Sequence, residues 1–226
     1  MGGLPARPGA ARDARLVEQV SPRGAAQPLP PGAASYLSEA DPVLQRIIGR
    51  VGAIHLELQP DLWWALVDAI VSQQLSVAAA ATIVARVRTL GPPGSPPPPG
   101  LLLSISDEQL RACGLSRAKV SYVKDLATKW QEGVIQPDQI AAQPDEAVID
   151  RLVQVKGIGR WTAEMALIFS LGRPDVLPVD DLGLKVAVQA AYGMDERPSG
   201  EALRQLGEPW RPYRTAASLY LWRSRR

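Results

Sequence analysis

Apolar positions recur at helical spacing along most of this chain. Runs over 42–52, 61–74, 77–90, 107–113, 117–131 and 137–142 each set an apolar residue every three or four positions, the pattern of a helix with one buried face. Pro144 and Asp145 then suit a first helical turn, and Val148, Leu152 and Val155 form one stripe behind them. Gly157 and Gly159 interrupt that stripe before a second helical run starts near Arg160. A Gly-Ile-Gly between two helical runs predicts a sharp reversal, because glycine accepts positive φ and lets another backbone come close. With the remaining segments the pattern predicts about ten helices. Strand signals are scarce and no internal repeat is present, so the expected fold class is all-α.

Proline divides the chain. Of 21 prolines, six fall in residues 1–31 and six in 91–100, and neither segment reads as helix. The first is also rich in Ala, Gly and Arg, so residues 1–35 are expected to be a flexible basic tail. The second reads as a stiff surface insertion, since consecutive prolines favour polyproline II. Trp63, Trp64, Trp130, Trp210, Tyr122 and Phe169 lie among apolar neighbours and are expected in the core.

Composition narrows the function classes only modestly. With 226 residues and 46% hydrophobic content, the chain can build one domain or two small lobes. A net charge of +2 does not by itself mark a nucleic-acid binder. Local clusters matter more: Arg204, Arg211, Arg214, Arg223, Arg225 and Arg226 form one group, and Arg117, Lys119 and Lys124 another. Each could meet a phosphate or simply solvate a helix face. One histidine, His55, and one cysteine, Cys113, exclude a zinc site built from those ligands and an iron–sulfur cluster on four cysteines. No apolar run reaches the roughly 18 residues of a membrane span, and the N-terminal segment lacks the apolar centre of a signal peptide. The expectation is a cytoplasmic protein with a reduced thiol.

The hairpin carries candidate chemistry. The first N–H groups of a helix have no partner inside it, and with the glycine N–H groups they form a concave, positively polarised cradle for a phosphate oxygen. Lys156 and Arg160 flank that cradle. About twenty residues later Asp180 and Asp181 open another helix; Asp180 is the expected N-cap, which would position its neighbour. From the residues alone two readings stay open. The stretch is a tight helix connection followed by ordinary first-turn acids, or it is a phosphate grip beside a reactive carboxylate.

The run from Leu152 through Lys156-Gly157-Ile158-Gly159-Arg160-Trp161-Thr162-Ala163, the loop Gly172-Arg173-Pro174-Asp175-Val176-Leu177-Pro178-Val179, and Asp181 together resemble the helix-hairpin-helix/Gly-Pro-Asp superfamily of DNA glycosylases. Segments 70–78, 114–119 and 210–222 resemble further elements of that family, so the likeness spans roughly 36–226. It is nearest to the 3-methyladenine DNA glycosylase II (AlkA) type. The resemblance implies two helical lobes around a DNA cleft, a central bundle of about 76–178 and a second lobe from 36–75 and 179–226. Some members carry an extra N-terminal α/β domain, for which residues 1–35 are too short; the expectation is the catalytic core alone.

The resemblance also implies roles. Lys156, Gly157, Ile158, Gly159, Arg160 and Thr162 would grip a phosphate, and Asp181 would be catalytic. Trp161, Met165, Trp222 and Tyr213 would line a base pocket, with Met165 standing where the type member has tyrosine. Gln73, Gln74 and Leu75 would wedge into the duplex, with Gln74 replacing a leucine. Bifunctional members carry a nucleophilic lysine where this chain has Trp161. An indole cannot form an imine, so the implied enzyme is monofunctional. It would flip alkylated purines of the 3-methyladenine and 7-methylguanine type from duplex DNA and hydrolyse the N-glycosidic bond, leaving an abasic site. No cofactor is implied, although a hairpin carbonyl could share a monovalent cation with the phosphate. The partner would be alkylated duplex DNA, met by a monomer associated with the nucleoid. Two alternatives remain: a non-catalytic helix-hairpin-helix module, or a glycosylase for another lesion such as uracil.

Overall fold

Serine and aspartate mark where the helices begin. The computed structural model describes residues 25–225. After α1 (Ala33–Ala40), Asp41 starts α2 (Pro42–Val51), its Oδ1 accepting from the N–H groups of Val43 and Leu44 at 2.8 and 3.2 Å. Asp61 caps α3 (Leu62–Ser72) and Ser76 caps α4 (Val77–Arg88). After α5 (Pro99–Ser104), Ser106 and Gln109 close a capping box on α6 (Asp107–Ala112). Ser116 caps α7 (Arg117–Gln131), which leads to the short α8 (Pro137–Ala141) and to α9 (Asp145–Leu152). Such caps satisfy N–H groups that the helix itself leaves orphaned. The hairpin joins α9 to α10 (Arg160–Phe169); α11 (Leu182–Tyr192), α12 (Gly200–Leu206) and α13 (Arg214–Arg223) complete the chain.

Three expectations change. Residues 25–35 are not tail: Ala25–Pro28 forms strand β1, and α1 starts at Ala33. β1 pairs antiparallel with β2 (His55–Leu58), Gln27 opposite Leu56. Only Leu56 of β2 is buried, and one short alternation is too weak a signal to stand out among helical patterns. The rest of the expected tail, residues 1–24, lies outside the described residues. The proline-rich segment is mostly exposed, as a surface insertion would be, but it is pinned to the core and its end is helical. Pro97 is buried, its carbonyl accepts from Trp63 Nε1 at 2.8 Å, and Pro98 and Pro99 open α5, where proline's missing N–H costs nothing.

The third change concerns the lobes. α3 packs on α4, α7 and α10 and so sits with the central bundle, not with the second lobe expected from 36–75 and 179–226. The second lobe gathers α1, α2, α11 and α13, with α13 lying on α1, α2 and α11. Asp41 stitches this lobe together across the sequence. Its Oδ2 accepts from Tyr192 Oη at 2.5 Å and from Trp210 Nε1 at 2.9 Å. Of the expected core aromatics, Trp63, Trp64, Trp210 and Phe169 are buried, while Trp130 and Tyr122 are half-buried against the core.

Candidate active site

Asp181 is the N-cap of α11, the role expected of Asp180. Its Oδ1 accepts from Leu184 N at 2.5 Å and from Trp222 Nε1 at 2.9 Å, and its Oδ2 from Trp161 Nε1 at 2.8 Å. The carboxylate is only 4% exposed, and these three donors replace the water it has lost. Asp180 instead points outward, 3.7 Å from Lys185 Nζ. The loop that delivers Asp181 is tied to the start of α13. Thr215 Oγ1 donates to Arg173 O at 2.6 Å and accepts from Val176 N at 3.0 Å, and the Arg214 guanidinium grips Asp175 at 2.7 and 2.9 Å. Gly183 leaves room for the arrangement, since a Cβ there would sit 3.1 Å from Asp181 Oδ1.

Trp161 forms part of a cavity between α3 and α10. α3 contributes Ala65, Leu66, Asp68, Ala69 and Ser72; α10 contributes Trp161, Thr162, Met165, Ala166 and Phe169. Its volume of about 60 Å³ is lined mainly by apolar groups, with Gln59 and Gln73 also reaching it. The expected pocket residues separate here. Trp161 and Met165 line the cavity, and Trp222 stands behind it, stacked on Phe169 at 6.3 Å. Tyr213 lies elsewhere, edge-on to Tyr36 at 5.4 Å, because the chain turns into α13 on the second-lobe side. Thr162, expected at the phosphate, faces this cavity because it follows Trp161 on the buried side of α10.

Sequence reasoning missed Asp68 and Phe169 as cavity residues. Phe169 looks like any core aromatic in its local sequence. Asp68 had a signal, being the one charged residue in the otherwise apolar run of α3.

The hairpin reverses as its glycines suggest, but the two differ. Gly157 has φ +83°, and a Cβ there would collide with the Tyr122 ring, so two constraints demand glycine. Gly159 has an ordinary φ of −94° and nothing within 4 Å of where a Cβ would stand. That open space lies in front of the N-terminus of α10, which no side chain caps. Ile158 is buried and anchors the turn. The Lys156 side chain is 67% exposed, its nearest carboxylate oxygen being that of Asp125 at 3.8 Å. Arg160 is committed elsewhere. It forks onto Glu146 at 2.5 and 2.9 Å and reaches Glu164 at 3.0 Å, so its charge is not held ready beside the cradle.

The wedge residues adjoin this hairpin. Gln73 Nε2 donates to Gly157 O at 2.8 Å, tying the end of α3 to the turn. Lys119 Nζ secures the same end through Val71 O and Gln73 O at 2.6 and 2.7 Å, turning inward rather than toward a phosphate. Gln74 is exposed with φ +59°, the sole non-glycine positive φ among the described residues, while Leu75 is half-buried. Gln74 is therefore the member of the trio that protrudes.

Glu164 is 3% exposed, and burial pushes its carboxyl up to about 7 despite the opposing pull of Arg160. A carboxyl whose folded value lies above its unfolded 4.5 is penalised as it ionises, so its contribution to stability falls as pH rises from about 4.5 to 7 and then levels. Glu164→Gln stays neutral and is expected to remove that fall. Urea midpoints of both proteins across this range test it, and parallel profiles would refute it.

No group of three or more His, Cys, Asp or Glu side chains among the described residues is placed to hold a metal ion. No helix among them is long and apolar enough to cross a membrane.

Comparison with known proteins accounts for the arrangement. Residues 67–212 match the model of the HhH-GPD superfamily of base excision DNA repair proteins. DNA-3-methyladenine glycosylase 1 of Schizosaccharomyces pombe is 38% identical over 160 residues, covering 70% of each chain. A solved 3-methyladenine DNA glycosylase of the same yeast, in complex with abasic DNA, superposes with a TM-score of 0.76 at 34% identity, covering 84% of this chain and 95% of that one. A DNA-3-methyladenine glycosidase from Bacillus halodurans gives 0.78 at 37% identity, covering 86% and 89%. The buried Asp181, the uncapped hairpin and the cavity between α3 and α10 are thus carried on the expected scaffold: this chain belongs to the HhH-GPD superfamily of base excision DNA repair proteins.

Proposed function

We propose that this protein is a monofunctional DNA glycosylase that excises alkylated purines of the 3-methyladenine and 7-methylguanine type. The observation that carries the reading is a buried carboxylate, Asp181, held by two indole N–H groups, one of which belongs to a wall of an apolar cavity. An alkylated purine is already cationic, so its glycosidic bond is weakened and no strong acid is needed. Positive charge develops on the deoxyribose as the bond breaks, and a fixed carboxylate stabilises that charge more in the transition state than in the ground state. Asp181 also orients the attacking water and accepts its proton. Trp161 offers its ring to the base while its N–H holds Asp181. With tryptophan rather than lysine at this position, no amine stands where bifunctional members carry theirs, and the product is an intact abasic strand.

DNA is held by the free N–H groups at the start of α10, with Lys156 beside them, and Gln74 enters the space left by the flipped base. The protein acts as a monomer on duplex DNA in the cytoplasm. Release of free methylated bases from alkylated genomic DNA, followed by chromatography, tests this reading. The expected result is release of 3-methyladenine or 7-methylguanine with no strand nicking until alkali is added; nicking without alkali would remove the monofunctional assignment. Lys156→Ala is expected to reduce the salt dependence of duplex binding by about one phosphate contact, while Arg160→Ala leaves that slope unchanged. Equal slope changes in both variants would show that Arg160 leaves its carboxylates to meet DNA.

A further inference from the structure

The cavity between α3 and α10 holds one carboxylate that the proposed chemistry does not use. Asp68 is the one charged residue of a lining built mainly from apolar groups such as Ala65, Leu66, Trp161, Met165 and Phe169, the other polar members, among them Gln59 and Gln73, being neutral. Its Oδ1 accepts from Ser72 Oγ at 2.8 Å, one helical turn on. Its Oδ2 has no donor among the described residues, and no lysine, arginine or histidine lines the cavity. A half-buried carboxylate in apolar surroundings is costly unless something brings it a cation or N–H donors. Burial accordingly pushes the Asp68 carboxyl up, against the opposing pull of Ser72.

We infer that Asp68 is a specificity-determining residue that reads the positive charge and ring N–H groups of a methylated purine seated in this cavity. The inference rests on the glycosylase reading above and deepens it. Stacking on Trp161 and Phe169 favours any electron-poor ring, whereas a facing carboxylate separates a cationic base from a neutral one of similar size. The free Oδ2 can accept from an exocyclic amino group, and the net charge of the pair inside the cavity becomes zero. A neutral purine leaves Asp68 uncompensated and pays its desolvation, so the same residue discourages undamaged bases. The other polar residues of the lining, Gln59, Ser72, Gln73, Thr162 and Ser170, are neutral and cannot answer a positive charge, and Asp181 faces its indoles.

The test compares wild type with Asp68→Asn and Asp68→Ala, keeping Asp181 intact. Single-turnover excision of 7-methylguanine, a cationic substrate, is set against hypoxanthine, a neutral one. Loss of the carboxylate is expected to lower the ratio of the two rates by about ten- to a hundredfold, the size of one charge-assisted hydrogen bond. Proportional loss of both rates, or no change in either, would overturn the inference. A second measurement does not depend on excision: quenching of tryptophan fluorescence by 7-methylguanosine and by guanosine. Wild type is expected to prefer the cationic nucleoside and Asp68→Asn to lose that preference. If wild type excises no alkylated base yet shows this preference and the variant loses it, the glycosylase reading fails and the role of Asp68 stands. An unchanged preference in the variant would refute the role of Asp68 whatever the excision assay shows.

Discussion

Asp181→Asn is expected to slow release of alkylated bases by at least about a hundred- to a thousandfold, while duplex binding stays within a few-fold of wild type. The geometry explains the split. Asp181 offers two acceptor oxygens to three donors, Leu184 N, Trp222 Nε1 and Trp161 Nε1, and faces no basic side chain among its hydrogen-bond partners. An asparagine keeps one oxygen and turns an N–H₂ group toward one of these donors, so the negative charge disappears and one indole loses its acceptor. The phosphate cradle at the start of α10 is untouched. Single-turnover release and equilibrium binding to duplex DNA, measured on both proteins with a thermal melt to confirm folding, separate the two effects. Release near the wild-type rate would withdraw Asp181 as the group that stabilises the sugar cation. Loss of binding in step with loss of release would make its role structural.

The largest effect on stability is expected at Asp41, far from the cavity. This carboxylate caps α2 and accepts from Tyr192 and Trp210, residues separated from it by 151 and 169 positions. Removing it as Asp41→Ala leaves a helix start uncapped and two donors without acceptors, a loss of about 3–5 kcal/mol. That is a large share of the roughly 5–15 kcal/mol that holds a typical domain folded. Asp41→Asn keeps an oxygen for the cap or for the ring donors but not both, and its loss should be smaller. Burial disfavours ionisation here, yet hydrogen bonds from Tyr192, Trp210, Leu44 and Val43 outweigh it and hold the carboxyl below its ordinary 3.8. The stability this supplies is present above 3.8 and lost as pH falls below it through the folded value. Urea unfolding of the variants at neutral pH, and of wild type in acid, measures both. A loss of less than about 1 kcal/mol in Asp41→Ala would mean that water or a rotated neighbour takes the carboxylate's place.

These two aspartates also mark how far the linear chain speaks for the fold. Helix positions were legible because their causes are local: apolar spacing, a Ser or Asp before the first turn, and glycines where the backbone must reverse. The runs at 61–74, 107–113 and 117–131 correspond closely to α3, α6 and α7. The Gly-Ile-Gly turn and the carboxylate that follows it were legible for the same reason, and Trp161 in place of lysine could be read directly. Pairings between distant segments were not. Arg160 is cationic in any reading, but only the approach of α9 gives it Glu146. β1 contains little that favours a strand and exists because β2 lies alongside it.

The sequence by itself determined the helical class and the hairpin, since each depends on residues within one or two turns of one another, while the candidate reactive groups came from the resemblance of the hairpin, loop and Asp181 to a known family. Only the tertiary structure decided which of two adjacent aspartates turns inward, that Tyr213 packs on Tyr36 and Thr162 lines the cavity, and that Asp68 faces a cavity with no cation beside it. Those outcomes depend on the packing of α3 against α10 and of α13 against α11. The orientation of a side chain between two helices is set by contacts from both, and either helix alone leaves it open.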